Sequence, residues 1–197
     1  MLGVTFGNKH SFYDMGIWLT KYPEITPPIP KTKYVDVLGG DGALDITKAL
    51  TGYVQYNRRT IKMEFTIMAA RIQWPDIHSE IMDLLHGQEM DLILDDDPEF
   101  CYTGRLSVDV YDPQKVTSGV TITMDAEPYK TRIEATRRSF TVSGSLKADI
   151  SVMKKPVCPL ITASSAMQMT FRGQTYDLAA GENVLDDVIL RGDAENS

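Results

Sequence analysis

Cysteine is scarce. The 197 residues hold two, Cys101 and Cys158, with no CxxC spacing, so neither a disulfide framework nor a cysteine-based zinc site is encoded. Histidine is nearly as rare: His10, His78 and His86 form no HExxH pair. No apolar run reaches the length of about 18 residues that a membrane helix needs. The start, MLGVTFGNKHSF, lacks the apolar core of a signal peptide. The expectation is a soluble chain made in the cytoplasm, without membrane insertion. Positive charge is also short, with 20 Lys and Arg against 27 Asp and Glu, a net charge of -7. The imbalance is local: residues 1–136 carry 13 basic against 20 acidic side chains, whereas residues 137–197 carry 7 of each. Gripping nucleic acid requires a cationic face that replaces released counterions, and this balance argues against such a task.

The motifs of common chemistries are missing too. VDVLGGDGALDI, residues 35–46, places Gly39, Gly40 and Gly42 close together, but it is neither GxGxxG opening a helix nor GxxxxGK followed by Ser or Thr. It reads as a tight connection between strands, with glycines at positive backbone angles and Asp41 bonded to nearby amides. The acidic run Asp95, Asp96, Asp97 is consecutive and followed by a proline. It lacks the alternating ligands and closing Glu of a calcium loop, and reads as a solvated hairpin tip. There is no GxSxG, and neither cysteine has a nucleophile's sequence setting. The reading is of a non-enzyme: catalytic residues none, cofactor-binding residues none, metal ligands none.

What is present is mainly β. Ile61, Met63, Phe65 and Ile67 alternate with Lys62, Glu64 and Thr66, the period of a strand with one face buried. Further strands are expected at 17–22, 34–38, 53–56 and 116–124, and a hairpin at 92–102 with DDDPE at its tip. ITPPIP, residues 25–30, is too rich in proline for a sheet interior and is expected as an extended loop. One helix is expected over about 75–86, where Ile77, Ile81, Leu84 and Leu85 fall at helical spacing, Pro75 and Asp76 suit the first turn, and Gly87 suits the cap. His86 is placed to complement that helix's C-terminus. Beyond residue 137 the apolar pieces shorten to 140–142, 148–152, 157–161, 167–171 and 184–190, as in a small antiparallel sandwich. About 60 residues are few for an independent core. Because the chain stops at GDAENS, that domain is expected to be truncated or completed by another chain.

Taken in order, VDVLGGDGALDIT, the YNRR of residues 56–59, a helix ending in LLHG, YTGRL at 102–106 and EPYK at 127–130 resemble the distal tail protein (Dit) family of long-tailed, non-contractile bacteriophages. The resemblance covers residues 12–136. PVCPLI and FRGQTYDLAAGENVL are similar to the start of the family's C-terminal galectin-like sandwich. The fold class implied is mainly β: an N-terminal tail-tube-like β-barrel or sandwich with one helix (1–136), then a partial galectin-like β-sandwich (137–197). The resemblance further implies a structural virion protein, not an enzyme. Six copies form a homo-hexameric ring at the tail's end, joining the major tail tube protein to the baseplate or to a tail-tip protein carrying lysin activity. Genomic DNA passes through transiently without specific binding. On this reading the loop 25–32 and the hairpin 92–102 reach a neighbour, and part of the acidity of residues 1–136 faces the lumen. The alternative is a carbohydrate-binding, lectin-like protein, although residues 137–197 supply only Phe140, Phe171 and Tyr176 as aromatic platforms.

Overall fold

The structure, a computed structural model, describes residues 3–109, 119–152 and 155–192. The start of the expected strand at 116–124, and the terminal residues after Gly192, lie outside them. The chain divides into two compact units, Met1–Thr136 and Arg137–Ser197.

The first unit is built on one nine-stranded antiparallel sheet. Its strands are β1 (Val4–Phe6), β2 (Lys9–His10), β3 (Ile17–Leu19), β4 (Glu24–Ile25), β7 (Arg59–Ile67), β8 (Glu89–Leu94), β9 (Phe100–Val108), β10 (Gly119–Ala126) and β11 (Thr131–Arg132). They run in the order β2-β1-β8-β9-β10-β7-β3, with β4 also on β7 and β11 also on β9. A hairpin of β5 (Tyr34–Asp36) and β6 (Ala43–Asp45) stands apart from it.

Period-two burial explains the register. In β7, Ile61, Met63, Phe65 and Ile67 are buried, and they face Val120, Ile122 and Met124 of β10 through the pairs Phe65↔Val120, Met63↔Ile122 and Ile61↔Met124. A one-residue slip would turn all of these side chains to water, so burial locks the pairing. Three strands separate β1 from β7 in the sheet, roughly 19 Å if it were flat. Yet the rings of Phe6 and Phe65 are 6.1 Å apart, so the sheet curls until its inner face closes on itself. The enclosed core includes Val4, Leu19, Leu92 and Leu106.

The helix α1 (Trp74–Leu85) follows one 3-10 turn, Arg71–Gln73, and starts one residue before the sequence expectation. Ile81 and Leu85 enter the core, with Ile77 and Leu84 packed partly buried against it. Its end is tied to β9. Gly87, at φ +76°, turns the chain so that its N–H donates to the Leu106 carbonyl at 2.8 Å, and His86 Nδ1 accepts the Val108 N–H at 3.1 Å. The His86 side chain therefore links helix to sheet, while its backbone N–H donates to the Met82 carbonyl at 2.9 Å and caps the helix end. His78 is buried, with Nε2 3.1 Å from the Asp109 carbonyl.

Several local expectations are corrected. Residues 53–56 form no strand; only an isolated bridge, Pro30↔Tyr56, occurs there. The proline segment is tied to this edge, with Lys31 N–H donating to the Gln55 carbonyl and Asn57 N–H to that of Ile29, while Ile25 itself pairs with Ile61. Proline's missing donor is harmless at such an edge. In the GGDG turn, Gly39 and Gly42 hold positive φ (82° and 78°) but Gly40 does not. Asp45, not Asp41, caps the local backbone, accepting the Thr47 N–H at 2.9 Å. Hydrogen bonding to Thr47, from its side chain first and from this N–H second, holds the Asp45 carboxyl below its usual range.

The second unit contains β12 (Leu160–Ala163) paired with β15 (Gly181–Val184), and β13 (Met167–Phe171) paired with β14 (Gln174–Leu178). Phe171, Val188 and Leu190 form its small core, with Ile150, Val152 and Tyr176 against it. The described parts of 140–142 and 148–152 are not strands. Of 184–190, Val184 ends β15 and Leu190 bridges to Val157. Apolar spacing does not distinguish strand from loop; Ile150, Val152, Leu185, Val188 and Leu190 join the core, whereas Phe140, Val142 and Val184 are exposed. The β13–β14 hairpin turns on Arg172 (φ 50°) and Gly173 (φ 82°), two successive positive φ values that match the twist of a two-residue hairpin.

Glu64 on β7 supplies a pH test. Its carboxylate meets Lys21 at 2.9 Å and Lys62 at 3.5 Å, and the Lys21 hydrogen bond holds it below its usual value of 4.5. A carboxylate with a lowered folded pKa stabilises the fold fully above the unfolded value and loses that contribution as pH falls through the folded one. Below pH 4.5, thermal melts of Glu64→Gln are therefore expected to fall less steeply than those of the parent chain. Parallel curves would refute the linkage.

Candidate functional site

The sequence pieces YNRR, YTGRL and EPYK lie far apart in the chain but meet in space. β10 and β11 both run along β9, and residues 127–130 carry the chain from one to the other, with Glu127 N–H donating to the Thr103 carbonyl at 2.8 Å. Arg58 and Arg59, at the start of β7, reach this connection. Arg58 binds Glu127 at 2.8 Å and Asp125 at 3.4 Å. The Glu127 hydrogen bond pushes the Arg58 guanidinium's pKa up. Arg59 donates to the Pro128 carbonyl and lies 5.7 Å from the centre of the Tyr102 ring. Tyr56 and Tyr129 meet edge to face at 5.9 Å.

The hairpin tip joins the same cluster. Lys130 binds Asp97 at 2.5 Å and sits 4.0 Å over the Phe100 ring, and Arg132 pairs with Glu99 at 3.5 Å. On the tip's other flank, His10 Nε2 is 3.3 Å from Asp95. Tyr22 lies against the tip as well: partial burial, and then the Asp96 carboxylate, push its phenol up. The acidic tip is thus held by Lys130 and Arg132 on one flank and by the His10 ring on the other, and is less free than a solvated tip. Among the described residues no group of three or more His, Cys, Asp or Glu is arranged to hold a metal ion. Cys101 is buried and Cys158 exposed, both as free thiols.

Gly104 of YTGRL has a steric role. A Cβ there would lie 2.4 Å from the Asp125 carbonyl oxygen and 2.6 Å from the Ala126 Cα. Only a hydrogen lets β9 approach β10 this closely. The next residue, Arg105, donates to the Gly87 carbonyl at 2.6 Å and pairs with Glu89 at 3.0 Å, joining the helix end to the sheet. On the outer face, Thr60, Thr123, Ser107 and Arg105 help line a shallow depression of about 330 Å³. His86 and Asp125 line it as well, with His86 Nδ1 engaged by the Val108 N–H.

This architecture has a solved counterpart. Neither a protein-family model nor a curated protein sequence matches the chain. The crystal structure of the SPP1 Dit protein (gp 19.1), described as a paradigm of the hub adsorption apparatus in phages infecting Gram-positive bacteria, matches with a TM-score of 0.54. The chain shares the Dit-like fold. The match covers 96% of this chain and 79% of that one at 13% identity. The resemblance seen in short sequence pieces thus extends to a mainly β fold with one described helix, and at that identity the likeness lies in backbone arrangement.

Seen in this Dit-like fold, the three sequence pieces hold the strand-to-strand connection of the first unit together. Arg59→Ala is expected to cost about 1–3 kcal/mol, because a charge-assisted bond to a carbonyl and a ring contact are lost together. Arg59→Lys should recover only part of this, since a point charge replaces a planar fork. Arg58→Ala, on exposed ion pairs, is expected to cost no more than about 1 kcal/mol. Urea unfolding of the three variants checks this order; equal losses for Arg58 and Arg59 would overturn it.

Proposed function

We propose that this chain is a structural protein of a bacteriophage tail, forming a ring at the tail's distal end. The ring joins the tube to the baseplate or tail-tip apparatus and lets genomic DNA pass without gripping it. The observation that carries this reading is the fold match to a phage hub protein across nearly the whole chain. Two features support it. The first unit ends its sheet in short strands, β2 on one side and β3 and β4 on the other, whose outer edges are unpaired among the described residues, and unpaired edges are surfaces through which copies can join. The net charge of -7 suits a bore that DNA crosses without sticking. The segment 25–32, with Ile29 exposed, and the hairpin 92–102 are the proposed reach toward a neighbour. In the virion the partners would be the tail tube protein and a tail-tip or baseplate protein.

Of the three aromatic platforms open to the lectin-like alternative, Phe171 is buried and Tyr176 packs against the core, which leaves Phe140 as the exposed one. Native mass spectrometry of the full chain over a concentration series tests the proposal. A species near six times 22.0 kDa is the expected result. A strict monomer carrying a stoichiometric small-molecule adduct would overturn it.

A further inference from the structure

The β5–β6 hairpin buries nothing. All six of its strand residues are exposed, and one face carries the cross-strand pair Val35 and Leu44. Val37 is also exposed, and Leu38 at the tip is 104% exposed. A two-stranded hairpin is at best marginally stable alone, and an apolar face of this kind on a folded protein marks a contact surface. From Tyr34 to Thr47 the only charged residues are Asp36, Asp41 and Asp45, so the hairpin is both apolar and acidic.

The complementary surface lies elsewhere in the same unit. Residues 68–74, MAARIQW, carry one cation and no acid. Met68 is 59% exposed, and Ile72, on the 3-10 turn Arg71–Gln73 that contributes no buried residue, is 86% exposed. Between them Arg71 lies 5.9 Å from the centre of the Trp74 ring and makes no ion pair with any described residue. Methionine, arginine and exposed aliphatics around a single cation are the composition of an interface rather than of a solvated turn.

We propose that the β5–β6 hairpin docks tip first on residues 68–74 of a second copy of this chain, with Leu38 against Ile72 and Asp41 against Arg71. Donor and acceptor are different surfaces of one unit, an arrangement that permits head-to-tail contact, the kind that closes into a ring. The inference rests on the ring-forming reading above and names the contact that makes the ring.

The test uses the full chain with Cys158→Ser, which leaves only the buried Cys101. Leu38→Cys and Ile72→Cys variants are mixed under mild oxidation and run on a non-reducing gel. A disulfide-linked dimer is expected from the mixture and from neither variant alone. In parallel, Arg71→Glu is expected to weaken self-association by about tenfold or more, and Asp41→Lys added to it to restore association, because like charges facing across an interface are strongly unfavourable. A chain that assembles normally while the mixture gives no cross-link overturns the docking and leaves the ring standing. A cross-link from Leu38→Cys alone shows a two-fold contact and overturns it as well. A chain that is monomeric at every concentration, with no cross-link, overturns docking and ring together.

Discussion

Phe65→Ala is expected to destabilise the first unit by about 3–5 kcal/mol, the range for removing a fully buried aromatic ring from a core that cannot collapse around the gap. Phe65 is 1% exposed, stands on β7 opposite Val120, and meets Phe6 from β1, with three strands between them in the sheet. This makes β1 and β7 four positions apart in the sheet, so the Phe65 ring fills the space that the curl encloses. Two sheet regions lose a shared partner, and neither can close the void without uncurling. A loss this large is a sizeable fraction of the stability of a typical domain. Urea or guanidinium unfolding followed by near-ultraviolet circular dichroism reads it directly. A loss under about 1 kcal/mol would mean that the two faces do not close on this ring. Phe65→Leu keeps most of the volume and should lose much less, separating cavity formation from any effect of the aromatic ring.

Gly104→Ala is expected to cost about 3 kcal/mol or more, at or above the upper end of the range for forcing one extra carbon into a packed site. The obstacle is backbone, the Asp125 carbonyl oxygen and the Ala126 Cα, so no side chain can swing aside. The β9–β10 pairing must part at Ala126↔Gly104, where Glu127 begins the connection held by Arg58 and Arg59. The loss should therefore be local as well as global. Amide hydrogen exchange is expected to speed up at residues 103–106 and 124–127 before the rest of the sheet is affected. Conversely, Gly87→Ala meets no atom within 4 Å, and its cost comes from the positive φ of 76° alone. A Gly104→Ala protein of unchanged stability would show that the two strands lie farther apart than described.

The glycine in YTGRL illustrates how far the sequence could be read. Its place among strand residues was plain, but the reason for it is a neighbouring backbone 22 residues ahead, which no local pattern records. The same holds for YNRR, YTGRL and EPYK. In the sequence they are ordered pieces of a resemblance, and only the sheet order, with β10 between β7 and β9, brings Arg59, Tyr102 and Pro128 together. The acidic run at 95–97 was legible as a hairpin tip. Its pairing with His10 and Lys130 was not, because those partners arrive from opposite ends of the unit.

By itself the sequence determined the long amphipathic strands, the helix and the hairpin at 92–102, because hydrophobic periodicity and capping residues act over a few positions. It also determined the acidic balance of the first 136 residues. The boundary suggested near residue 136 coincides with the division of the chain into two compact units. The tertiary structure decided the curl that brings Phe6 to Phe65, the close approach at Gly104, the tying of His86 to β9, and the exposure of the β5–β6 hairpin. These depend on contacts between residues far apart in the chain. The free energy of such contacts comes from burial and from avoided backbone clashes, quantities that exist only once the strands are in place.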